Sequence, residues 1–338
     1  MAVSNKGFTT TDGIDLNEVL YGTVLPIIEL YNTEEELDMR GLITVDGDES
    51  YFKFNAAGKW KFQILGEAEK PTSKKKVYGK RQKDTLKYGL DIDYTYDWLL
   101  SEMASSTEIA KMAALAVERD RALQTSVIMD VCVQSTTDGW YNGSFSSDEK
   151  MDRPPTYGTS TFATSHSHYV ASGATTLSLS DITAAKKHLK EHGYNGRIFG
   201  FCNADFYNKI EDLAGFYWST TATYAIPTPI QASVSVDGFQ GRLLGVDWIN
   251  TEWFVDDYFM LIGTTAGQSN PVRFIQKKKD MAKGLLLMNG AFDPTYPIIN
   301  ATYLHYLAAQ VLHRGAGVVY YLNTVWADPT AITTNVVE

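Results

Sequence analysis

Cysteine is almost absent from this sequence: of 338 residues, only Cys132 and Cys202 carry a thiol. Two isolated thiols cannot build the framework of a disulfide-rich secreted domain. Long apolar runs are missing too. None approaches the ~18 residues that a membrane helix needs, and the N-terminus lacks the basic-then-apolar pattern of a signal peptide. Positive charge is in deficit, with 30 Lys and Arg against 40 Asp and Glu, a formal charge of −10. That balance argues against coating nucleic acid, which rewards basic contacts to phosphate. Catalytic signatures are also lacking. Gly263-Thr264-Thr265-Ala266-Gly267 has no lysine to make a phosphate loop. No Gly-x-Gly-x-x-Gly follows a strand, and neither His-Glu-x-x-His nor Gly-x-Ser-x-Gly occurs. What is there is a 44% hydrophobic, tyrosine-rich globular composition, long enough for about two domains.

The total charge conceals its distribution. Residues 1–52 hold 11 acids, among them Glu34, Glu35, Glu36, Asp46 and Asp48, against Lys6 and Arg40, a net −9. Residues 53–87 hold 11 bases and three acids, a net +8, and the remainder of the chain is −9. One charge run is ordinarily a solvated surface. Two opposed runs, each too long for one helix face, also suit complementary contact within the chain or between copies.

Residues 1–45 show little periodicity beyond Val24-Leu25-Pro26-Ile27-Ile28 and a short helical run around Thr33–Met39, and read as an extended arm. Phe52-Lys53-Phe54 and Trp60-Lys61-Phe62-Gln63-Ile64 alternate at the strand period, predicting a hairpin around Ala56-Ala57-Gly58. After the turn-like Pro71–Lys76, the chain returns through Val77, Tyr78 and Leu86 to a strand. There Leu90, Ile92 and Tyr94 face one way and Asp91 and Asp93 the other. Such a basic out-and-back loop cannot stabilise itself and must lie on something.

Ser105 and Glu108 have capping-box spacing and open a predicted helix over 105–133. Ile109, Met112, Ala113, Ala116, Val117, Leu123, Val127 and Val131 recur in it at steps of three and four. Glu118, Arg119, Asp120 and Arg121 are expected to face solvent or a neighbour. Asp138 to Gly173 is a long polar loop, functional or an insertion. A second compact region begins near Thr175. Ser180 is expected to cap a helix ending at His192-Gly193, and Arg197–Cys202 reads as a buried strand. Asn203 caps a helix over Ala204–Leu213. Strands follow at Leu243–Trp248, Tyr258–Ile262, Val272–Ile275 and Leu285–Met288. The tail Ile298–Leu322 reads as a sheet edge, interrupted at Gly315-Ala316-Gly317.

Candidate chemistry is sparse. His166 and His168 share one face if their segment is extended, as a chelating pair requires. Nothing at working spacing supplies a third ligand, Asp152 being the nearest carboxylate, so hydrogen bonding within a loop is the favoured reading. Asp256-Asp257 could be paired carboxylates, but Asp is a favoured turn residue and a turn is needed there. Both cysteines read as inert core thiols. The basic stretch 74–87 lacks a stacking platform for nucleic acid.

Four features together resemble the major capsid proteins of tailed bacteriophages with the Hong Kong 97-type fold. Lys74-Lys75-Lys76-Val77-Tyr78-Gly79-Lys80 leads into Tyr88-Gly89-Leu90-Asp91-Ile92 and Asp97-Trp98-Leu99-Leu100, like a returning extended loop. The helix Ser106–Val133 resembles that fold's spine helix. Ile198–Tyr207 is similar to the strand–helix step of its axial domain. Leu244-Gly245-Val246-Asp247 and Asp256–Gly263 resemble its later axial strands. The resemblance implies an α+β protein with an N-terminal arm (1–45), an extended loop (46–89), a peripheral domain with the spine helix (90–174), an axial domain (175–290) and a return to the peripheral domain (291–338). The long 138–173 insertion departs from the family pattern.

The implied function is self-assembly, without enzymatic activity or cofactor, into the icosahedral head of a phage enclosing double-stranded DNA. Hexamers and pentamers of this chain would form the shell, a virion component made in the host cytoplasm, with scaffolding, portal and decoration proteins as further partners. DNA would be enclosed without sequence-specific binding, and no membrane is involved. The short arm without a coiled coil implies a separate scaffolding protein where one is needed. Candidate inter-subunit contacts are Lys74, Lys75, Lys76, Lys80, Arg81, Lys83, Glu34, Glu35, Glu36, Trp60 and Phe62. The alternatives are another virion or tail-associated structural protein, or a metal-dependent enzyme using His166 and His168.

Overall fold

The computed structural model describes residues 9–33, 43–46, 52–55, 78–99, 101, 104–142, 166–215, 217–218, 239–264, 270–277, 283–289 and 298–337. The helices in chain order are α1 (Leu16–Val19), α2 (Leu25–Thr33), α3 (Tyr96–Leu99), α4 (Ser106–Val133), α5 (Leu179–Glu191) and α6 (Ala204–Glu211). The first strands are β1 (Ile43–Asp46), β2 (Phe52–Asn55), β3 (Tyr78–Arg81), β4 (Leu86–Thr95), β5 (Tyr169–Ala171), β6 (Ile198–Cys202) and β7 (Tyr217–Trp218). They are followed by β8 (Phe239–Leu243), β9 (Val246–Asn250), β10 (Tyr258–Gly263), β11 (Val272–Ile275), β12 (Leu286–Asn289), β13 (Ile298–Val311) and β14 (Gly317–Tyr321).

The capping residue at Ser105 starts α4, its side chain accepting from the Glu108 N–H at 3.3 Å. Over 28 residues the helix keeps one buried stripe, Ile109, Ala113, Ala116, Asp120, Leu123 and Val127, at alternating steps of four and three. Asp120 therefore departs from the expected polar face and lies inside. Glu118, Arg119 and Arg121 do face solvent.

Over 16–33 the arm is helical, not extended. Asp15 caps α1, a π turn over Leu20–Val24 follows, and α2 continues the same helical course. Pro26 cannot donate to the preceding turn and so reads in the sequence as a helix breaker; the π turn just before it absorbs the irregularity. Leu16, Val19, Leu20, Val24, Ile28 and Tyr31 pack with Ile109, Ala113 and Ala116 of α4 and with Tyr94 and Tyr303. The predicted run Thr33–Met39 lies, beyond Thr33, outside the described residues.

Two sheets share the body. The smaller runs β1-β11-β13-β12, with β4 pairing along β13 over ten residues from Ile298↔Thr95 to Leu307↔Leu86. The larger runs β5-β14-β10-β6-β9-β8-β7. The tail is thus no sheet edge: β13 lies between partners on both sides in one sheet, and β14 between β5 and β10 in the other. The strand expected over Leu243–Trp248 is two strands. Leu244 (φ 52°) and Gly245 (φ 75°) form the tight turn between β8 and β9, a positive-φ pair suited to hairpins.

Alternation along β10 shows how the larger sheet is covered. Tyr258, Met260 and Ile262 face the cluster beneath the C-terminal half of α4; Phe259 and Leu261 face the cluster under α5 and α6. Helix α6 is capped by Asn203 as expected, accepting from the Phe206 N–H at 2.8 Å. Helix α5 is capped two residues earlier than expected, by Ser178 reciprocally with Asp181, and ends at His192 before Gly193 at φ 87°. Cys132 and Cys202 are buried; burial pushes the Cys132 thiol up to about 12 and raises that of Cys202 as well, so neither offers a thiolate.

Packing at Gly200 of β6 is tight enough to test. A Cβ there would sit 2.5 Å from the ring of Trp248, which is fully buried on the adjacent β9. Gly200→Ala should cost about 1–3 kcal/mol through overpacking, read as a lower urea midpoint at unchanged slope.

Candidate functional site

The expected alternation on β4 is present, but its inward face is unevenly buried. Tyr94 is fully buried, Ile92 half-buried, Leu90 43% exposed and Leu86 62% exposed, while Asp91 and Asp93 face outward. On the same face Tyr88, between Leu90 and Leu86, is half-buried and packs against the cluster beneath the C-terminal half of α4. The two leucines are thus exposed on either side of a residue that holds to the core. Earlier in the chain, β2 pairs antiparallel with β3, Phe52↔Arg81 to Asn55↔Tyr78. The partner that the alternation suggested, 60–64, lies outside the described residues; among those described, β2 pairs with the returning strand. A two-stranded ribbon is marginal alone and gains most from a surface to lie on.

Where the ribbon rejoins the body, Lys83 Nζ lies 2.6 Å from the Asp138 carboxylate, whose other oxygen accepts from Gln310 Nε2 at 3.1 Å. Lys83 is thereby engaged within the chain. The backbone of Lys80 and Arg81 belongs to β3. Lys74, Lys75, Lys76, Glu34, Glu35, Glu36, Trp60 and Phe62 lie outside the described residues.

The arm is fixed to α4 by a buried polar hub that sequence reasoning missed. The Asp120 carboxylate, 6% exposed, accepts from Tyr31 OH at 2.7 Å, Gln124 Nε2 at 2.8 Å and His305 Nδ1 at 2.8 Å. Gln276 Nε2 donates to Gln124 Oε1 at 3.2 Å, which brings in the segment after β11. A buried carboxylate is tolerated only when so paired. The signal was available: Asp120 falls four residues after Ala116 and three before Leu123, in register with the apolar stripe. Asp120 and His305 also line a cleft of about 710 Å³ bounded by β4, α4 and residues Thr334, Val336 and Val337.

Asp256-Asp257 is the turn the sequence predicts, with Asp257 at φ 60°. Asp256 accepts from Asn203 Nδ2, and Asp257 pairs with Lys209 at 2.7 Å, so the two carboxylates serve structural bonds. His166 and His168 do share one side of their segment, but they are not the isolated pair expected. The last turn of α5 and its C-cap bring His188 and His192 to them, with one ring nitrogen of each within 4.8 Å of the others. The overlooked signal was two histidines four residues apart at the end of a predicted helix.

No family model and no curated protein matches the sequence. Solved structures do. A chain from Mycobacterium phage Patience matches with a TM-score of 0.66 at 18% identity, covering 98% of this chain and 96% of that one. A chain of the capsid of a native GTA particle matches with a TM-score of 0.52 at 11% identity, covering 83% of this chain and 87% of that one. The chain has a capsid-protein fold. At these identities the capsid fold is shared through its pattern of elements, not through its side chains.

Within the capsid fold, the Asp120 hub should govern whether the arm stays on the body. Asp120→Ala should cost about 3–5 kcal/mol, because it strands the buried His305 and Tyr31 donors. Tyr31→Phe should cost only about 1 kcal/mol. Urea unfolding gives both numbers, and limited proteolysis within 16–33 should accelerate in the first variant before the second.

Proposed function

We propose that this chain is a phage-type major capsid protein that self-assembles into an icosahedral head shell around a double-stranded DNA genome. The observation that carries this reading is the match to a phage chain over almost the full length of both molecules. The capsid chain of the GTA particle supports it. In this reading the architecture is Hong Kong 97-type: arm 1–45, extended loop 46–89, peripheral domain 90–174 with α4 as the spine, axial domain 175–290, and the return 291–338. The protein acts as a structural component of the virion rather than as an enzyme. Its working partner is itself, in hexamers and pentamers, with scaffolding, portal and decoration proteins as further partners.

Leu90 and Leu86 supply apolar surface that an isolated chain leaves uncovered. The loop, carrying Lys74, Lys75, Lys76, Lys80, Arg81, Trp60 and Phe62, would overlie a neighbouring copy. The acidic run Glu34, Glu35 and Glu36 would meet a basic loop. Lys83 holds the base of the loop to its own body through Asp138. The −10 total suits a wall that repels packaged phosphate rather than trapping it.

Electron microscopy of the purified protein should show closed shells or hexameric capsomers. Tubes or stacked rings would overturn the reading in favour of a tail-associated role, and so would protein that stays monomeric even when co-expressed with a scaffolding protein. The triple variant Lys74→Glu, Lys75→Glu, Lys76→Glu should keep its melting temperature yet fail to close shells.

Salt separates the forces. Raising ionic strength from about 0.15 M to about 1 M shortens the Debye length from about 8 Å to about 3 Å and should slow early assembly if exposed ion pairs drive it. Unchanged light-scattering kinetics would assign the contact to apolar groups around Trp60 and Phe62 instead.

A further inference from the structure

The chain has six histidines, and four of them meet at one point. His166 and His168 lie on the segment leading into β5; His188 is in the last turn of α5 and His192 is its C-cap. The Nε2 atoms of His166, His168 and His192 form a triangle with edges of 3.1 Å (166–168), 3.0 Å (166–192) and 3.2 Å (168–192). Nitrogens bound at about 2.0–2.1 Å to a tetrahedral zinc ion stand about 3.3–3.4 Å apart. The triangle is one face of such a tetrahedron, drawn in by a few tenths of an ångström. The His188 ring lies 4.3 Å from that of His168, centroid to centroid, close enough to supply the fourth corner by a side-chain adjustment.

Hydrogen bonding alone does not account for the triangle. His168 Nδ1 lies 2.6 Å from the Gly317 carbonyl oxygen, which can only accept, so Nδ1 carries the proton and Nε2 presents a lone pair. If His166 and His192 both donate to that lone pair, their own 3.0 Å edge places donor against donor. If either accepts, its edge with His168 places lone pair against lone pair. No tautomer assignment of neutral rings satisfies all three edges. Protonating the rings would crowd like charges at a point where His168 is fully buried. A single cation at the centre satisfies every lone pair at once.

We propose that His166, His168, His188 and His192 form a closed site for one divalent ion of the zinc class, clamping the segment that leads into β5 onto the end of α5. Imidazole nitrogens suit zinc, cobalt, nickel and copper, whereas calcium and magnesium take oxygen ligands. The bond from His168 Nδ1 to the Gly317 carbonyl is the outer-shell contact that orients a ligating ring. It extends the clamp to β14, where Val319 N–H also donates to the His168 carbonyl at 2.8 Å. Four protein ligands leave no open position for a water or substrate, so the site is structural rather than the centre of a metal-dependent enzyme using His166 and His168.

The test uses the full chain without an affinity tag, stripped with chelator and titrated with zinc or cobalt(II). We expect one equivalent of zinc retained per chain after desalting, a melting temperature that rises with zinc, and a visible cobalt spectrum of tetrahedral nitrogen type. His188→Gln with His192→Gln should lose the stoichiometric binding and the melting shift. Wild-type protein that retains no zinc after desalting, or an octahedral cobalt spectrum, overturns the site, and so does a folded double variant that binds as the wild type does. The cobalt spectrum of the wild-type chain decides the matter even where the double variant folds poorly. None of these outcomes bears on shell assembly, which is read separately by microscopy.

Discussion

Helix α4 must bury one continuous stripe against two different bodies, and the rest of the chain is arranged around that requirement. Its N-terminal half is covered by the arm helices, β4 and β13. Its C-terminal half lies under the seven-stranded sheet, through Leu123, Val127, Ile128, Met129, Cys132 and Val133. At the changeover sits Asp120, a carboxylate in the middle of an apolar stripe. Its acceptor capacity can be filled only if Tyr31, Gln124 and His305 arrive together. That single satisfaction condition fixes the arm, the helix and β13 relative to one another. A hydrophobic residue at 120 could pack as well, but would specify none of these partners.

The same chain economy explains the C-terminal strands. Because β13 is long enough to pair β11 at one end and both β4 and β12 at the other, it carries the smaller sheet almost alone. After the break at Gly315-Ala316-Gly317, β14 joins the larger sheet. The two sheets are therefore tied by a short covalent link as well as by α4. Among the described residues, Leu86 and Leu90 of β4 are exposed apolar groups, which suits contact with another copy in the proposed shell.

Much of the fold was legible because its signals are local. Caps at Ser105 and Asn203, the helix end at Gly193, and the apolar strands Ile198–Cys202, Tyr258–Gly263 and Val272–Ile275 are set by neighbours within a few residues. The arm misled for an equally local reason: Pro26 and the π turn disrupt the 3.6-residue period while the buried stripe Leu16, Leu20, Val24, Ile28 persists. The turn at Leu244-Gly245 hid inside an apolar run, because a leucine at positive φ gives no compositional warning. The pairing of β2 with β3 was not legible, because alternation shows that a strand exists and not which strand it joins.

By itself the sequence determined the position of α4, the capped helices, the alternating strands and an opposed distribution of charge, all properties that act along the chain at short range. Only the tertiary structure decided what crosses it. His166 meets His192 across 26 positions, and Asp120 meets His305 across 185. No periodicity encodes such distances. They follow from the packing of α5 on the larger sheet and of α4 on β13, which turns scattered histidines into a cluster and an apparent surface carboxylate into the pin of the core.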